Sequence, residues 1–171
     1  MTETVTPAAP SFPSINLPAS MSIVPATAEH AAHLAPRLRK ADVEEIAASS
    51  GRTPIESLQC SVASSAESYA VISDGQPIAI FGVVSIVDGV GFPWLMGSDE
   101  LSQYPEAFIK SCMPVIEFFH GRFPVLTGMI DARNTLHLRW LEWCGFELVQ
   151  RHPDFGVGGV DFWQFRRVHH V

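Results

Sequence analysis

The sequence has few charged residues and no excess of basic ones. Charged residues make up 17% of its 171 residues, and the formal net charge is −7. Because nucleic-acid affinity depends largely on lysine and arginine displacing counterions, this balance argues against nucleic acid as the main partner. The hydrophobic share of 47% is enough for a buried core, and the length fits one domain.

Cysteine is also scarce. Cys60, Cys112 and Cys144 are an odd number and form no C-x-x-C pair, which argues against a disulfide framework and a zinc cage and favours a reducing compartment. Cys144 falls in the last turn of a predicted helix, where the helix dipole disfavours a thiolate, so we expect a small core residue. The histidines lack the spacing of a helical metal pair, and we predict no metal site.

Long apolar runs and a basic leader are missing as well. No run approaches the roughly 18 residues that cross a bilayer, which argues against a membrane partner. The N-terminal stretch has no basic residue and is rich in proline, unlike a signal peptide. We predict an extended tail over residues 1–20 that docks on a partner through Pro7, Pro10 and Pro13. Residues 21–171 then form a single domain.

The first part of this domain is predicted to be mostly helical. A short strand over Met21–Pro25 precedes the stretch Ala28–Ser49, whose apolar spacing suits one or two helices interrupted near Pro36. The charged residues 37–45 within it are typical of a solvated helix face. Thr53 followed by proline and glutamate predicts a further short helix to about Ala63.

The middle of the chain predicts a three-stranded antiparallel meander. Its strands are Tyr69–Ser73, Gln76–Val87 and Phe92–Met96, and an Asp-Gly turn stands before the second strand and another before the third. The next elements are a long amphipathic helix, a strand, a short helix capped by Asn134, and two closing strands. Their ranges are Pro105–His120, Pro124–Ile130, Leu136–Cys144, Phe146–Arg151 and Asp161–Val168. The crossover helix implies parallel neighbouring strands. The fold class is therefore α/β (α+β), with a mixed sheet of about six to seven strands.

This order of elements resembles the GNAT acetyltransferase fold. The resemblance is sharpest from Asn134 to Gly145-Phe146, which matches the family's late motif of asparagine, amphipathic helix and Gly-Phe. Between Ser68 and Phe146 the chain looks more narrowly like GNAT-like proteins of tailed phages and prophages, some of them called internal virion protein A. The step Asp131-Ala-Arg-Asn into the helix is the most specific part. This resemblance implies a virion component, located in the virion or the host cytoplasm, with other phage proteins or its own copies as partners.

Two departures from the family pattern bear on chemistry. The family holds the pyrophosphate of coenzyme A on a glycine-rich turn, whereas the segment Gly97–Pro105 has one glycine and places Asp99 and Glu100 there. The family often has a tyrosine that protonates the leaving thiolate, whereas the aligned residue is Leu141. We therefore expect no cofactor and predict a structural or assembly role with degenerate acetyltransferase motifs.

The alternative is an active N-acyltransferase that uses acetyl-CoA. Its cleft would then be lined by Met96, Gly97, Ser98, Arg133 and Asn134. The candidates for acid–base chemistry would be Asp131 and His137. A third class, an antitoxin-like or host-takeover binder, also fits the sequence.

Trp140 and Trp143 lie three residues apart on the late helix and therefore share a face. Tryptophan is enriched both in cores and at protein interfaces. We predict that these residues contribute to a contact surface, with Trp140 packed in the core and Trp143 at its rim.

Overall fold

The computed structural model describes residues 11–169, and Pro7 and Pro10 of the predicted contact tail lie outside this range. Seven strands form one sheet: β1 (Met21–Pro25), β2 (Ser65–Ser73), β3 (Gln76–Val87), β4 (Val90–Gly97), β5 (Val125–Asp131), β6 (Glu147–Phe155) and β7 (Val160–Val168). Five α-helices accompany it: α1 (Ala28–Leu34), α2 (Lys40–Ser49), α3 (Pro54–Ser64), α4 (Pro105–His120) and α5 (Thr135–Trp143). Short 3-10 helices cover Ala35–Arg37 and Asp99–Gln103. The predicted mixed α/β architecture is confirmed.

Local sequence signals explain where the helices begin and end. Thr53 caps α3 by accepting a hydrogen bond from the backbone N–H of Glu56, whose side chain in turn accepts one from the N–H of Thr53. Pro36 lies in the 3-10 turn that separates α1 from α2, as the sequence predicts. Gly145 ends the α5 region at a φ of 82°, a left-handed conformation that favours glycine.

The strand order is β1-β2-β3-β4-β5-β7-β6, and β4 and β5 are parallel, as the crossover helix predicts. All the other neighbouring strands are antiparallel. The β4–β5 pairing is confined to Val90 with Val125 and Gly91 with Leu126. The sheet therefore consists of two halves that separate beyond this short contact.

Two hydrophobic clusters cover the sheet. The larger one joins the sheet to α4 and α5 and contains Leu126, Ile116, Phe119 and Phe165. The smaller one lies under the N-terminal helices and is built around Leu34, Leu58 and Ile80, all fully buried. The sheet is thus sandwiched between two helical layers.

Two strands extend four residues beyond their predicted bounds. β2 begins at Ser65, four residues before the predicted Tyr69, because a register shift lets Ser65, Glu67 and Ser68 pair with β3. β6 continues past Arg151 to Phe155, which pairs with Val160 after another shift. Bulged pairing of polar residues leaves no alternating pattern in the sequence, so such ends are missed.

Residues 11–18 form neither helix nor strand, yet they contact the domain. The Phe12 ring lies 4.3 Å from the ring of Tyr69 and 5.3 Å from that of Phe118, measured between centroids. Pro13 is half-buried, and Leu17 lines the cavity described below. None of the helices within residues 11–169 has both the length and the hydrophobicity that a bilayer crossing requires.

Candidate functional site

β4 and β5 separate at Phe92 and Gly128. The Phe92 ring packs directly on the backbone of Gly128, where an added Cβ would clash with that ring and lie 2.6 Å from Cζ of Phe165. Pro93 follows Phe92 and has no amide hydrogen to offer a neighbouring strand. Parallel strands end at the same edge of a sheet, so the two diverging carboxyl ends enclose a V-shaped cleft.

A cavity of about 560 Å³ occupies this cleft and continues beneath α4 and α5. Its lining is mainly aromatic and aliphatic, with Phe81, Phe92, Phe108, Phe119 and Trp140 among the larger side chains. The exposed residues Ser50, Arg52 and Ile86 also belong to the lining, so the cavity reaches the surface. Its size and apolar character suit a small-molecule ligand.

The predicted cleft residues of β4 lie at its carboxyl end. Met96 lines the cavity, whereas the backbone N–H of Gly97 donates a hydrogen bond of 2.9 Å to Oδ2 of Asp42. The carbonyl of Gly97 accepts from the N–H of Arg39. Ser98 is buried, and its hydroxyl donates to the carbonyl of Ile78. The polar groups of Gly97 and Ser98 are thus engaged within the protein.

The matching end of β5 carries Asp131, which is buried. Its carboxylate accepts hydrogen bonds from the side chain and the backbone N–H of Arg133, with Nη2 at 2.6 Å from Oδ2. Burial would raise the pKa of Asp131, but the bonds and the charge of Arg133 outweigh it and the pKa lies below its ordinary value. Asp131 is therefore ionised at neutral pH, and Arg133 is held beside it.

α2 joins these two strand ends. Asp42 accepts from Gly97 of β4, and Glu45, one turn later, accepts from the backbone N–H of Asp131 of β5 at 3.3 Å. Both acids line the cavity, so the expectation of a solvated face over residues 37–45 is wrong for them. It holds for Lys40 and Glu44, which form an exposed ion pair. A helical period places Asp42, Glu45, Ile46 and Ser49 on one face, and this signal could have identified the inward side.

The two α2 acids are easier to protonate than usual. The pKa of Glu45 is raised to about 7, mainly by burial. The hydrogen bond from the backbone N–H of Asp131 lowers this pKa, and the nearby negative charges of Asp42 and Asp131 raise it. Burial also raises the pKa of Asp42, against the opposing effects of Arg39 and the Gly97 N–H. Glu45 can therefore gain or lose a proton near neutral pH.

His137 lies on the first turns of α5 and faces the cavity. The side chain of Asn134 caps this helix by accepting from the backbone N–H of His137 at 3.2 Å. Burial, with a smaller contribution from Arg39, lowers the pKa of His137 to about 4, so its imidazole is neutral at pH 7. Within residues 11–169 no hydrogen bond joins His137 to Asp131, whose carboxylate is bonded to Arg133.

The segment after β4 determines whether a coenzyme A diphosphate fits. Residues Asp99–Gln103 form a 3-10 helix, in which the N–H groups of Leu101 and Tyr104 donate to carbonyls within the segment. Leu101 is buried, and Glu100 forms an ion pair of 2.8 Å with Arg37. Asp99 lies close enough to raise the pKa of Asp42, and Glu106 adds a further acid in the first turn of α4. These residues supply neither a glycine-rich cradle nor positive charge, so they do not fit the diphosphate.

α5 presents its two tryptophans to different surroundings. Trp140 stacks near Phe108, with ring centroids 5.5 Å apart, whereas the Trp143 side chain is 56% exposed. Leu136, one heptad before Trp143, is 78% exposed on the same side of the helix. Leu141 is buried on the cavity wall, where it has no proton to donate.

Cys112 and Cys144 are both buried where α4 meets α5, as expected for Cys144. Cys112 lines the cavity, and its Sγ accepts a hydrogen bond of 3.3 Å from Nε1–H of Trp140. Within residues 11–169 no group of three or more His, Cys, Asp or Glu side chains is arranged to hold a metal ion.

Comparison with known proteins identifies the fold. No protein-family model matches the sequence, and no curated protein is similar to it. Among solved structures, a probable GNAT-family acetyltransferase from Chromobacterium violaceum has 18% identity and a TM-score of 0.68, covering 89% of either chain. A GNAT family acetyltransferase from Elizabethkingia anophelis with acetyl-CoA bound has 13% identity and a TM-score of 0.62, covering 89% of this chain and 100% of the other.

A third structure, a ribosomal-protein alpha-N-acetyltransferase in complex with coenzyme A, has 11% identity and a TM-score of 0.62. The match covers 90% of this chain and 97% of that structure's chain. At these identities the likeness concerns the fold, and fold does not determine function. The chain has the GNAT acetyltransferase fold.

Proposed function

We propose that this protein is a GNAT-fold component of a phage-type virion or its assembly machinery, which acts through protein contacts and does not use coenzyme A. The observation that carries the proposal is the Asp99–Gln103 helix in place of a phosphate-binding loop. The sequence resemblance of Ser68–Phe146 to phage GNAT-like proteins supports the virion assignment.

The electrostatics of this helix oppose a dianionic ligand. Asp99, Glu100 and Glu106 are close in sequence around the start of α4. The nearby cations are engaged, because Arg37 is bonded to Glu100 and to the carbonyl of Pro77, and Lys110 is paired with Glu106. A diphosphate would meet acids where it needs donors, and like charges disfavour association. This electrostatic argument supports a role without coenzyme A.

A contact surface is available on α5. Leu136 and Trp143 are large, apolar and mostly exposed, although they lie on a helix whose other face is packed in the core. Tryptophan is a typical anchor at protein interfaces. The proposed partners are other virion proteins or further copies of this chain.

Native mass spectrometry tests this proposal. The protein, purified from cells and then mixed with acetyl-CoA, should show no coenzyme A adduct, whereas mixing it with the virion proteins proposed as its partners should yield a complex. Trp143→Ala should weaken that complex, and Val43→Ala, at an exposed apolar residue on α2, should not. A co-purifying stoichiometric coenzyme A adduct would contradict the proposal.

A second candidate function is acyl transfer, as the sequence analysis allows. The observation that favours it is the apolar cavity in the strand cleft, with Glu45 on its wall and a pKa of about 7. As a carboxylate, Glu45 would accept the proton that an acceptor amine loses. Acyl transfer to an amine that depends on Glu45 and is lost in Glu45→Gln would support this candidate over the structural one.

A further inference from the structure

The cavity wall contains a thiol that neither proposed function uses. Cys112 lies midway along α4, and its Sγ faces the cavity, while Cys144 lies behind it. Cys60, the remaining cysteine, is partly exposed on α3 and does not belong to the cavity lining. The three cysteines thus occupy different environments within one chain.

The sulfur of Cys112 has a hydrogen-bond donor beside it. Nε1–H of Trp140 donates to it from 3.3 Å. When protonated, Cys112 itself donates to the carbonyl of Phe108 at 3.1 Å. The neighbouring Cys144 thiol, and then the Trp140 N–H, lower the pKa of Cys112 against the effect of burial. Cys112 faces the cavity and Cys144 lies behind it, so Cys112 is the thiol that a ligand in the cavity can reach.

We infer that Cys112 is a covalent modification site, where an apolar acyl thioester transfers its acyl group to the cysteine. The sulfur of Cys112 attacks the thioester carbonyl carbon and forms a new carbon–sulfur bond. The bond between that carbon and the donor sulfur breaks. The donor leaves as a thiol, which takes up the proton that Cys112 lost, so neither oxidant nor reductant is needed.

The side chains around Cys112 determine which class of acyl thioester fits the cavity. Phe108, Val115, Ile116 and Trp140 surround it on the cavity wall, and they favour an aliphatic acyl chain over a charged one. The acidic helix that excludes a diphosphate does not affect a donor without phosphate. The inference is therefore independent of coenzyme A binding.

The test uses the hexanoyl thioester of N-acetylcysteamine, a donor without phosphate, and the full-length protein. Intact-mass and peptide mass spectrometry should find one hexanoyl group on Cys112, which hydroxylamine removes. Cys112→Ser should abolish this adduct, and Cys60→Ser, the matched control at the partly exposed cysteine, should leave it unchanged. Circular dichroism of each variant establishes that it is folded.

Two further variants test how the neighbours of Cys112 contribute. Trp140→Phe keeps an aromatic ring but removes the N–H, and Cys144→Ala removes the neighbouring thiol. Each should slow acylation of Cys112 about three- to tenfold, as the loss of one hydrogen bond to a forming charge implies. In the pH–rate profile the apparent pKa of Cys112 should rise in both variants. Acylation at Cys60 alone, or at Cys112 only in urea, would overturn the inference.

Discussion

Glu45 Oε2 accepts a hydrogen bond from the backbone N–H of Asp131 at 3.3 Å, so a helix from the N-terminal layer closes the end of a strand 86 residues later in the chain. The carboxylate of Asp42 accepts a similar hydrogen bond from the backbone N–H of Gly97. Together these two contacts place both α2 acids at the open end of the strand cleft. The resulting burial has consequences for stability that can be measured.

Glu45→Gln should change how stability depends on pH. Because the pKa of Glu45 rises from 4.5 to about 7 on folding, the folded protein holds this proton more tightly than the unfolded chain between these values. Increasing pH across that window therefore favours unfolding, by about 2–3 kcal/mol in all. Urea titrations should show the variant gaining stability relative to wild type as the pH rises from 4.5 to 7. If the free energy of unfolding depended on pH in the same way for wild type and variant, this would contradict the burial of Glu45.

His137→Asn should have the opposite effect. The pKa of His137 falls from 6.5 to about 4 on folding, so the unfolded chain takes up the proton first as the pH decreases. Acidification from pH 6.5 to 4 should therefore destabilise wild type by about 2–3 kcal/mol relative to the variant. NMR titration of the His137 ring provides an independent check. A pKa near 6.5 in the folded protein would mean that the imidazole is solvated.

Gly128→Ala tests the contact that separates the two halves of the sheet. The added methyl group would clash with the ring of Phe92 and approach that of Phe165, and overpacking of this kind destabilises by about 1–3 kcal/mol. Gly75→Ala is a control of a different kind, since no atom lies within 4 Å of its added Cβ and only the positive φ of 77° opposes it. In Gly128→Ala combined with Phe92→Ala, the clash should be partly relieved. An unchanged melting temperature in Gly128→Ala alone would show that Phe92 does not pack there.

The tryptophans of α5 should respond differently to truncation. Trp140 packs on Phe108 and bonds Cys112, so Trp140→Ala should destabilise the free protein by about 2–4 kcal/mol. Trp143 is 56% exposed, and Trp143→Ala should change stability by no more than about 0.5 kcal/mol. Thermal unfolding of both variants measures this difference. Equal destabilisation would mean that the proposed contact surface is internal.

Much of the fold could be predicted from the sequence, because its signals are local. The Asp-Gly turns, the cap at Asn134 and the terminator Gly145 determine element boundaries through backbone conformation and nearby hydrogen bonds. The apolar face of α4 predicted its place against the sheet, and the crossover predicted the parallel pair.

The candidate site was harder to predict because its polar contacts join residues far apart in the chain. Asp42 and Glu45 lie among charges that resemble a solvated face, and only tertiary packing brings them to the ends of β4 and β5. Similarly, Phe12 belongs to a proline-rich stretch, yet it packs between Tyr69 and Phe118. Asp131, Arg133 and Asn134 lie at or just after the carboxyl end of β5, but they do not line the cavity, and what they would bind stays a prediction.

Calorimetric titration of the full-length protein with acetyl-CoA at low salt tests the central claim most directly. The Elizabethkingia anophelis acetyltransferase, solved with acetyl-CoA bound, is a suitable positive control. Because the Asp99–Gln103 helix presents acids in place of a phosphate cradle, we expect no binding heat at millimolar ligand. A dissociation constant in the micromolar range, about −8 kcal/mol, would contradict the account.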